Sequence, residues 1–348
     1  MTCCSVIILL TSYDRLNVLT EKEVSSMIRT ALIGFGLAGE HLHAPYLTAP
    51  DYQLVAVQSS RPEAVATRYP DVPVYSSLEE LLAAETIELV VIATPNAEHY
   101  PLAKTALSAG CHVLVEKPFT VTLLEAEQLT DLARQQNRLL TVYHNRRYTK
   151  DFRTLLELVQ ADELGVVQTF EAHYDRYRPT VRARWREQDV PGAGLLYDLG
   201  SHLIDQALML FSERPDRVFC DQTIQRPDGP VEDYTHLILA FGTRRAILHI
   251  GSLVPAPGPS LAVHGTKASY FVDSVDTKRS TYTWGRPEQP LEERPFVDSG
   301  FADYYHDLAH ALRHESPLTV TTEQALLVMK IIDCAQKSVK EGTWIEVD

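Results

Sequence analysis

The sequence predicts two folding units: an α/β unit with a doubly wound parallel sheet, then an α+β unit with a mostly antiparallel, open-faced sheet. Three observations predict them. A short apolar run at residues 31–33 meets the pattern Gly34-x-Gly36-x-x-Gly39 and a helix-like segment containing Leu42 and His43. Apolar runs then alternate with helix-like segments to about residue 143, the rhythm of a parallel sheet covered on both faces. After Tyr148 the rhythm changes to successive strand-like runs separated by turns such as Arg226-Pro-Asp-Gly-Pro230. The length of 348 residues favours two domains over one.

Each element has its own justification. Strand, glycine turn and helix in that order are the context that a dinucleotide-binding fingerprint requires. Gly34 allows the turn, Gly36 lets the backbone approach a pyrophosphate, and Gly39 lets the helix pack closely on the strand. The diphosphate is expected on free N–H groups at the helix start. Residues 52–59 read as a second strand, ending in Ser59-Ser60-Arg61. Residues 62–68 read as a helix with Pro62 in its first turn. Ser77 and Glu80 have capping-box spacing. Residues 89–93 are a fully apolar strand, followed by the turn Thr94-Pro95-Asn96 and a helix closed by Gly110. Strands at 112–115 and 139–142 flank an amphipathic helix at 123–136. In the second half, strands are expected at 166–174, 217–225, 234–241, 245–252 and 261–264, interrupted by one helix at 195–211. Helices at 302–314 and 323–339 follow. The chain shows no repeat and no low-complexity segment.

Composition narrows the function. Hydrophobic residues at 45% and charged residues at 22% are ordinary for a soluble enzyme. The net charge of -14 disfavours general binding to nucleic acid or to an anionic membrane. Cys3, Cys4, Cys111, Cys220 and Cys334 are odd in number and contain no CxxC, which points to reduced thiols in a cytoplasm. Residues 1–26 look foreign to the fold. Their apolar run, residues 5–10, is too short to span a bilayer and lacks a preceding basic residue. The expectation is a loose, disordered appendage with Met27 as the natural start; an edge strand or oligomer contact is the alternative. The domains then run 27–147 and 148–348.

Three groups of residues carry candidate chemistry. Glu116-Lys117-Pro118 follows a strand end, where open α/β sheets place ligands. A cis bond at the proline is one way to aim Lys117 at a substrate oxygen; a surface lysine paired with Glu116 is the plainer alternative. Asp198 and His202, four residues apart in the expected helix, would share a face. The carboxylate would orient the imidazole and raise its pKa, which suits a general base. A helix-surface ion pair is the alternative, and no third ligand at a telling spacing supports a metal. Ser60 and Arg61 stand about twenty residues past the glycines, where an acidic residue would mark NAD; an arginine fits a 2′-phosphate, so NADP is favoured over NAD. The arginine- and aromatic-rich runs at 143–148, 174–178 and 182–186 suit polyol hydroxyls or an interdomain salt-bridge network.

Taken together, the glycine turn, Thr94-Pro95-Asn96, Glu116-Lys117-Pro118 and Asp198-x-x-x-His202 resemble the glucose–fructose oxidoreductase/inositol dehydrogenase (Gfo/Idh/MocA) family from residue 28 to the C-terminus. The runs at 143–147, 176–179, 183–187 and 197–206 look more narrowly like its NADP-dependent scyllo-inositol dehydrogenases. The resemblance implies a Rossmann domain plus an open-faced sheet domain used for homodimer or homotetramer contact. It implies that Gly34, Phe35, Gly36, Leu37, Ala38, Gly39, Ser60, Arg61, Thr94, Pro95, Asn96, His99, Glu116 and Lys117 bind cofactor. Lys117 would also hold the substrate oxygen, and His202 would be the acid/base with Asp198 as its partner. Asn145, Arg146, Asp175 and Tyr177 would line a polyol pocket. The expected reaction moves hydride between a nicotinamide cofactor and a secondary alcohol, scyllo-inositol first among substrates. An aldose, a sugar-derived lactone or a dihydrodiol remains an alternative, as does a non-catalytic NADP-binding regulator. Two departures from the family pattern are the 26-residue leader and a segment after Phe271 that is shorter than in the inositol-like relatives.

Overall fold

The computed structural model describes residues 27–273 and 280–348. The leader, and with it Cys3 and Cys4, lies outside the described residues, as does part of the segment after Phe271.

Five of the first sheet's six strands form where the apolar runs predict them, and the two-residue β3 is an addition. Its strands are β1 (Ile28–Ile33), β2 (Tyr52–Gln58), β3 (Val74–Tyr75), β4 (Leu89–Ile92), β5 (His112–Val115) and β6 (Leu140–Val142). They pair in parallel in the order β3-β2-β1-β4-β5-β6. This is the doubly wound order whose reversal, between β1 and β4, opens a crevice at the strands' C-terminal ends. Every residue of β4 is buried, as a central parallel strand requires. Helices α1 (Pro62–Arg68), α2 (Leu78–Ala84), α3 (His99–Ser108) and α4 (Leu123–Gln135) connect the strands. Thr122 and Glu125 cap α4 reciprocally. At α2 only half of the expected box forms: Ser77 accepts from the Glu80 N–H, but the Glu80 carboxylate accepts from Ser76 instead.

The second sheet has nine strands among the described residues, in the order β14-β13-β12-β11-β7-β10-β9-β8-β15. They are β7 (Val167–Asp175), β8 (Arg217–Thr223), β9 (Tyr234–Phe241), β10 (Arg244–Gly251), β11 (Leu261–Gly265), β12 (Ser269–Val272), β13 (Thr281–Gly285), β14 (Glu292–Pro295) and β15 (Ile345–Glu346). All neighbours are antiparallel except β7 and β10 at the centre. Three more helices join them: α5 (Lys150–Gln160), α6 (Ser201–Phe211) and α8 (Thr322–Glu341). One face of the sheet packs under α6 and α8: Phe170, Ala172 and Tyr174 of β7 and Leu248 and Ile250 of β10 share a core with Leu203, Ile204, Ile331 and Ala335.

Packing crosses the sequence boundary at 147/148. Helix α7 (Phe301–Leu312) returns to the first sheet, where Tyr304, Tyr305 and Leu308 pack with Leu32, Tyr52 and Tyr143. The Tyr52 hydroxyl donates to the Tyr305 carbonyl at 2.6 Å. A buried ion pair ties the two halves. Arg147, just past β6, donates to both oxygens of Asp205 on α6 at 2.6 and 2.9 Å, with side chains 3% and 1% exposed. Its remaining nitrogen donates to the Thr319 carbonyl and to Gln324.

Removing one partner of such a pair leaves a buried, uncompensated charge, at a cost of about 3–5 kcal/mol. Arg147→Met is therefore expected to lower the urea unfolding midpoint by that equivalent, and an unchanged midpoint would show that the pair is not holding the halves together.

Candidate functional site

The crevice at the strand ends is a cleft of about 860 Å³ between the two sheets. The glycine turn forms its floor. Gly34 has φ +93°, a left-handed conformation suited to glycine, and a Cβ there would lie 2.7 Å from the Ala93 carbonyl. A Cβ on Gly39 would lie 2.0 Å from the Gly34 carbonyl, so only glycine lets the following segment sit this close. That segment winds as a wide π turn, Gly39–His43, in place of a regular helix. Gly36 faces open space. Phe35, Leu37 and Ala38 line the cleft with it. Ser60 and Arg61 line the neighbouring wall, where the Arg61 guanidinium donates to the Phe35 carbonyl and so joins the end of β2 to the turn.

Thr94, Pro95, Glu116 and Lys117 close the other side. The Lys117–Pro118 bond is cis, as one sequence reading allowed. Two further residues expected at the cofactor lie behind this wall. The Asn96 amide donates to the Gly192 carbonyl at 2.7 Å, and both Asn96 and His99 are buried. His99 bridges the Pro118 and Thr94 carbonyls at 2.8 and 3.1 Å, tying the two loops together. They shape the wall and do not line it. The Glu116 carboxylate accepts from His43 at 3.1 Å and from the Lys117 N–H at 3.0 Å. Burial would raise its pKa, but the His43 hydrogen bond and the neighbouring cations hold it below the usual carboxylate range. His43 in turn contacts the Tyr305 hydroxyl of α7 at 2.5 Å. Sequence spacing held no signal for this relay, since His43 and Tyr305 are 262 positions apart.

The second domain contributes Asp198, Leu199 and His202, and the polar wall of Arg176, Arg182, Arg184, Trp185 and Arg186. Lys117 and His202 share this cleft. The expected Asp198–His202 partnership needs correction. Residues Leu196–Gly200 form a π turn before α6, and both side chains line the cleft, yet the buried His202 Nδ1 has no hydrogen-bond partner, so the carboxylate does not hold it. Asp198 instead receives Lys117 Nζ, which donates to its carbonyl at 2.6 Å and to Oδ1 at 3.3 Å, and Arg186 at 3.1 Å. Burial would raise the Asp198 pKa; Lys117 and Arg186 pull it below its usual value. The shift at His202 runs opposite to the one expected. Burial, then the charges of Lys117 and Arg146, hold its pKa well below the ordinary 6.5.

Asn145 and Arg146 line the cleft as expected, and the guanidinium of Arg146 lies 5.2 Å from the centre of the Tyr174 ring. Asp175 and Tyr177 do not join them. Side chains alternate along a strand. Tyr174 faces the buried side of β7, so Asp175 points to the opposite face, where His173 and His249 hold it. Tyr177 is 60% exposed, outside the cleft wall. Arg186 and Arg176 carry more of the site than their place in an arginine-rich run disclosed.

The lining suits a dinucleotide and a polar substrate. Arg61, Lys117, Arg146, Arg176, Arg182, Arg184 and Arg186 face only Glu116 and Asp198 among the cleft's charged residues. Among the described residues, the buried Thr94 Oγ1, Asn145 Oδ1 and His202 Nδ1 have no hydrogen-bond partner. A Cβ-free floor at Gly36, a cationic wall and unpartnered polar atoms match an anionic diphosphate and a hydroxylated ligand. No helix among the described residues is long and apolar enough to cross a membrane.

Comparison with known proteins agrees with this geometry. Residues 28–144 match a model described as "Oxidoreductase family, NAD-binding Rossmann fold", and residues 156–347 match "Oxidoreductase family, C-terminal alpha/beta domain". The scyllo-inositol 2-dehydrogenase (NADP(+)) IolW of Bacillus subtilis is 37% identical over 92% of this chain and 96% of its own. The Escherichia coli oxidoreductase YdgJ is 39% identical over 91% and 98%. The solved structure of the oxidoreductase yvaA from B. subtilis superposes with a TM-score of 0.87, at 36% identity over 93% of this chain and 99% of that one. With both family models matched in order along one doubly wound and one open-faced sheet, the chain belongs to the Gfo/Idh/MocA family of oxidoreductases.

Proposed function

We propose that this dehydrogenase uses NADP to interconvert a secondary alcohol and a ketone on a polyol or sugar, with scyllo-inositol and its 2-keto inosose as the best pair. One observation carries the reading: Lys117 and His202, 85 positions apart by the numbering, line a single cleft with the glycine turn. The likeness to the B. subtilis inositol dehydrogenase supports the substrate class. When bound, the nicotinamide supplies the hydride acceptor or donor.

The chain's own residues handle the proton and the charge. His202, held neutral by burial and by nearby cations, takes the hydroxyl proton at its imidazole. An ammonium carries three N–H donors, and Asp198 occupies two of those of Lys117. The third is free to stabilise the oxygen as negative charge develops. Asp198 is then the anchor that aims Lys117, with Arg186 neutralising its other side. Asn145, Arg146 and Arg176 offer donors to the remaining hydroxyls. Arg61 and Ser60 are assigned to the 2′-phosphate. The three described cysteines are free and buried, consistent with a cytoplasmic enzyme, and the family resemblance supports a homodimer or homotetramer.

A substrate screen with NADP and NAD side by side tests the reading; tight NADPH binding with no turnover across polyols, inososes, aldoses and lactones would favour a regulator. Lys117→Ala and His202→Ala are each expected to lower kcat/KM by about 10²–10⁴-fold while NADP still binds, since general acid–base groups contribute on that scale. Full turnover in either variant removes the role assigned to that residue. The pH profile follows from the sign of the His202 shift. A base with a depressed pKa stays deprotonated as pH falls through about 6.5, so the acid limb of kcat/KM for alcohol oxidation should lie below that value. A limb above it would contradict the assigned environment. Arg61→Ala should weaken NADP by about tenfold or more and leave NAD nearly unchanged, the scale of one charge-assisted hydrogen bond; equal losses for both cofactors would move Arg61 off the 2′-phosphate.

A further inference from the structure

The second sheet's uncovered face carries a cluster that the dehydrogenase reading does not use. His173 on β7 and His249 on β10 are register partners at the centre of the sheet. Both lie on the face opposite α6 and α8, because Tyr174 and Leu248 beside them point into the helix-covered core. Asp175, two residues after His173, shares their face. Its two oxygens each meet one imidazole: Oδ2 lies 3.2 Å from His173 Nδ1, and Oδ1 lies 2.7 Å from His249 Nδ1. The three ligand atoms all lie within 4.8 Å of one another. His236 on β9 continues the row as the register partner of His249, with ring centroids 5.8 Å apart.

We propose that His173, Asp175 and His249 form a binding site for a divalent transition-metal ion, separate from the cleft. Two imidazoles and one carboxylate are a ligand set found with Zn²⁺ and Fe²⁺, whereas Ca²⁺ and Mg²⁺ prefer all-oxygen shells. Metal–ligand bonds of about 2.0–2.1 Å in a tetrahedron put neighbouring donor atoms about 3.3 Å apart; Asp175 Oδ2 and His173 Nδ1, at 3.2 Å, already have that spacing, and the 2.7 Å contact of Oδ1 with His249 Nδ1 would lengthen on binding. The strands preset that spacing. Paired residues on neighbouring strands hold their side chains side by side, and Asp175 is one side-chain repeat further along. In the single chain Asp175 is 6% exposed and the histidines are 30% and 16% exposed, so an ion reaches them from the open face, at or beside the oligomer contact proposed above. Water, or His236, completes the shell there. Sequence spacing could not reveal the triad, because His249 stands 74 positions beyond Asp175.

The test is titration of the full chain with Zn²⁺ by calorimetry and with Co²⁺ by visible absorption. A second histidine pair on α7, His306 and His310, is itself a chelating candidate, with Nε2 atoms 3.1 Å apart. The titrations therefore use the His306→Ala/His310→Ala background. One equivalent of metal should bind, with a tetrahedral Co²⁺ spectrum, and Zn²⁺ should raise the thermal midpoint in a concentration-dependent way. His249→Ala and Asp175→Asn should each weaken binding by at least about tenfold, since even outer-shell changes cost 10–100-fold. His249→Ala should retain NADP-linked turnover, which also reports that it is folded. If it does not fold, Asp175→Asn carries the comparison. No saturable binding in the background protein, or binding unchanged in the variants, overturns the site, and either result leaves the dehydrogenase assignment untouched.

Discussion

The buried pair of Arg147 and Asp205 is the constraint on which the cleft depends. Arg147 follows directly on Asn145 and Arg146 at the end of β6. Asp205 sits one helical turn past His202 on α6. A bidentate guanidinium–carboxylate contact is directional as well as strong, so it fixes how the end of the first sheet meets the helix carrying the proposed base. The same guanidinium reaches the Thr319 carbonyl and Gln324, so the entry to α8 is held in the same arrangement. A buried pair of this kind earns little net stability over an apolar packing of equal volume. Its value here is positional: sliding α6 along the sheet would break three or four hydrogen bonds at once.

Around that fixed point the cleft builds a field opposite to that of the whole molecule. The chain carries a net charge of -14, yet seven cationic side chains line the cleft against two acids. Anionic cofactor groups are attracted locally despite the global repulsion, because these cations lie within a Debye length of the cleft while much of the net charge lies beyond it. The same field sets the chemistry. Lys117 and Arg146 work together with burial to keep His202 neutral, while Lys117 and Arg186 keep Asp198 ionised. One set of cations thus favours a neutral imidazole beside an anchored ammonium.

Local pattern made the first sheet readable, because each βα unit is determined by residues close in sequence. The Gly34–Gly39 turn, the fully apolar β4 and the caps of α2 and α4 all depend on neighbours within a few positions. The candidate site departs from the sequence expectations where its geometry is set by residues distant in sequence. Asp198 and His202 are four residues apart and line one cleft, but Lys117, 81 positions away, takes the carboxylate together with Arg186. The resemblance places Asp175 in the pocket, but strand alternation sends it to the other face. The helix at Lys150–Gln160 is strongly amphipathic but falls where the rhythm changes from parallel to antiparallel, so the strand alternation on either side does not announce it. Asn96 and His99 stand in the right loop but serve its backbone.

The return of α7 explains why the cleft is more than a seam between two independent units. Tyr304 and Tyr305 are buried in the first sheet's core, and Phe301 at the start of the same helix lines the cleft. Tyr305 also contacts His43, which holds Glu116, which accepts the Lys117 N–H. A helix from the far end of the chain therefore supports the backbone of the proposed catalytic lysine through three side chains. Undocking α7 would expose several aromatic rings and leave a buried carboxylate–imidazole pair without its hydroxyl partner, both costly. Motion that opens the cleft is consequently hardest beneath Lys117, where these ties converge.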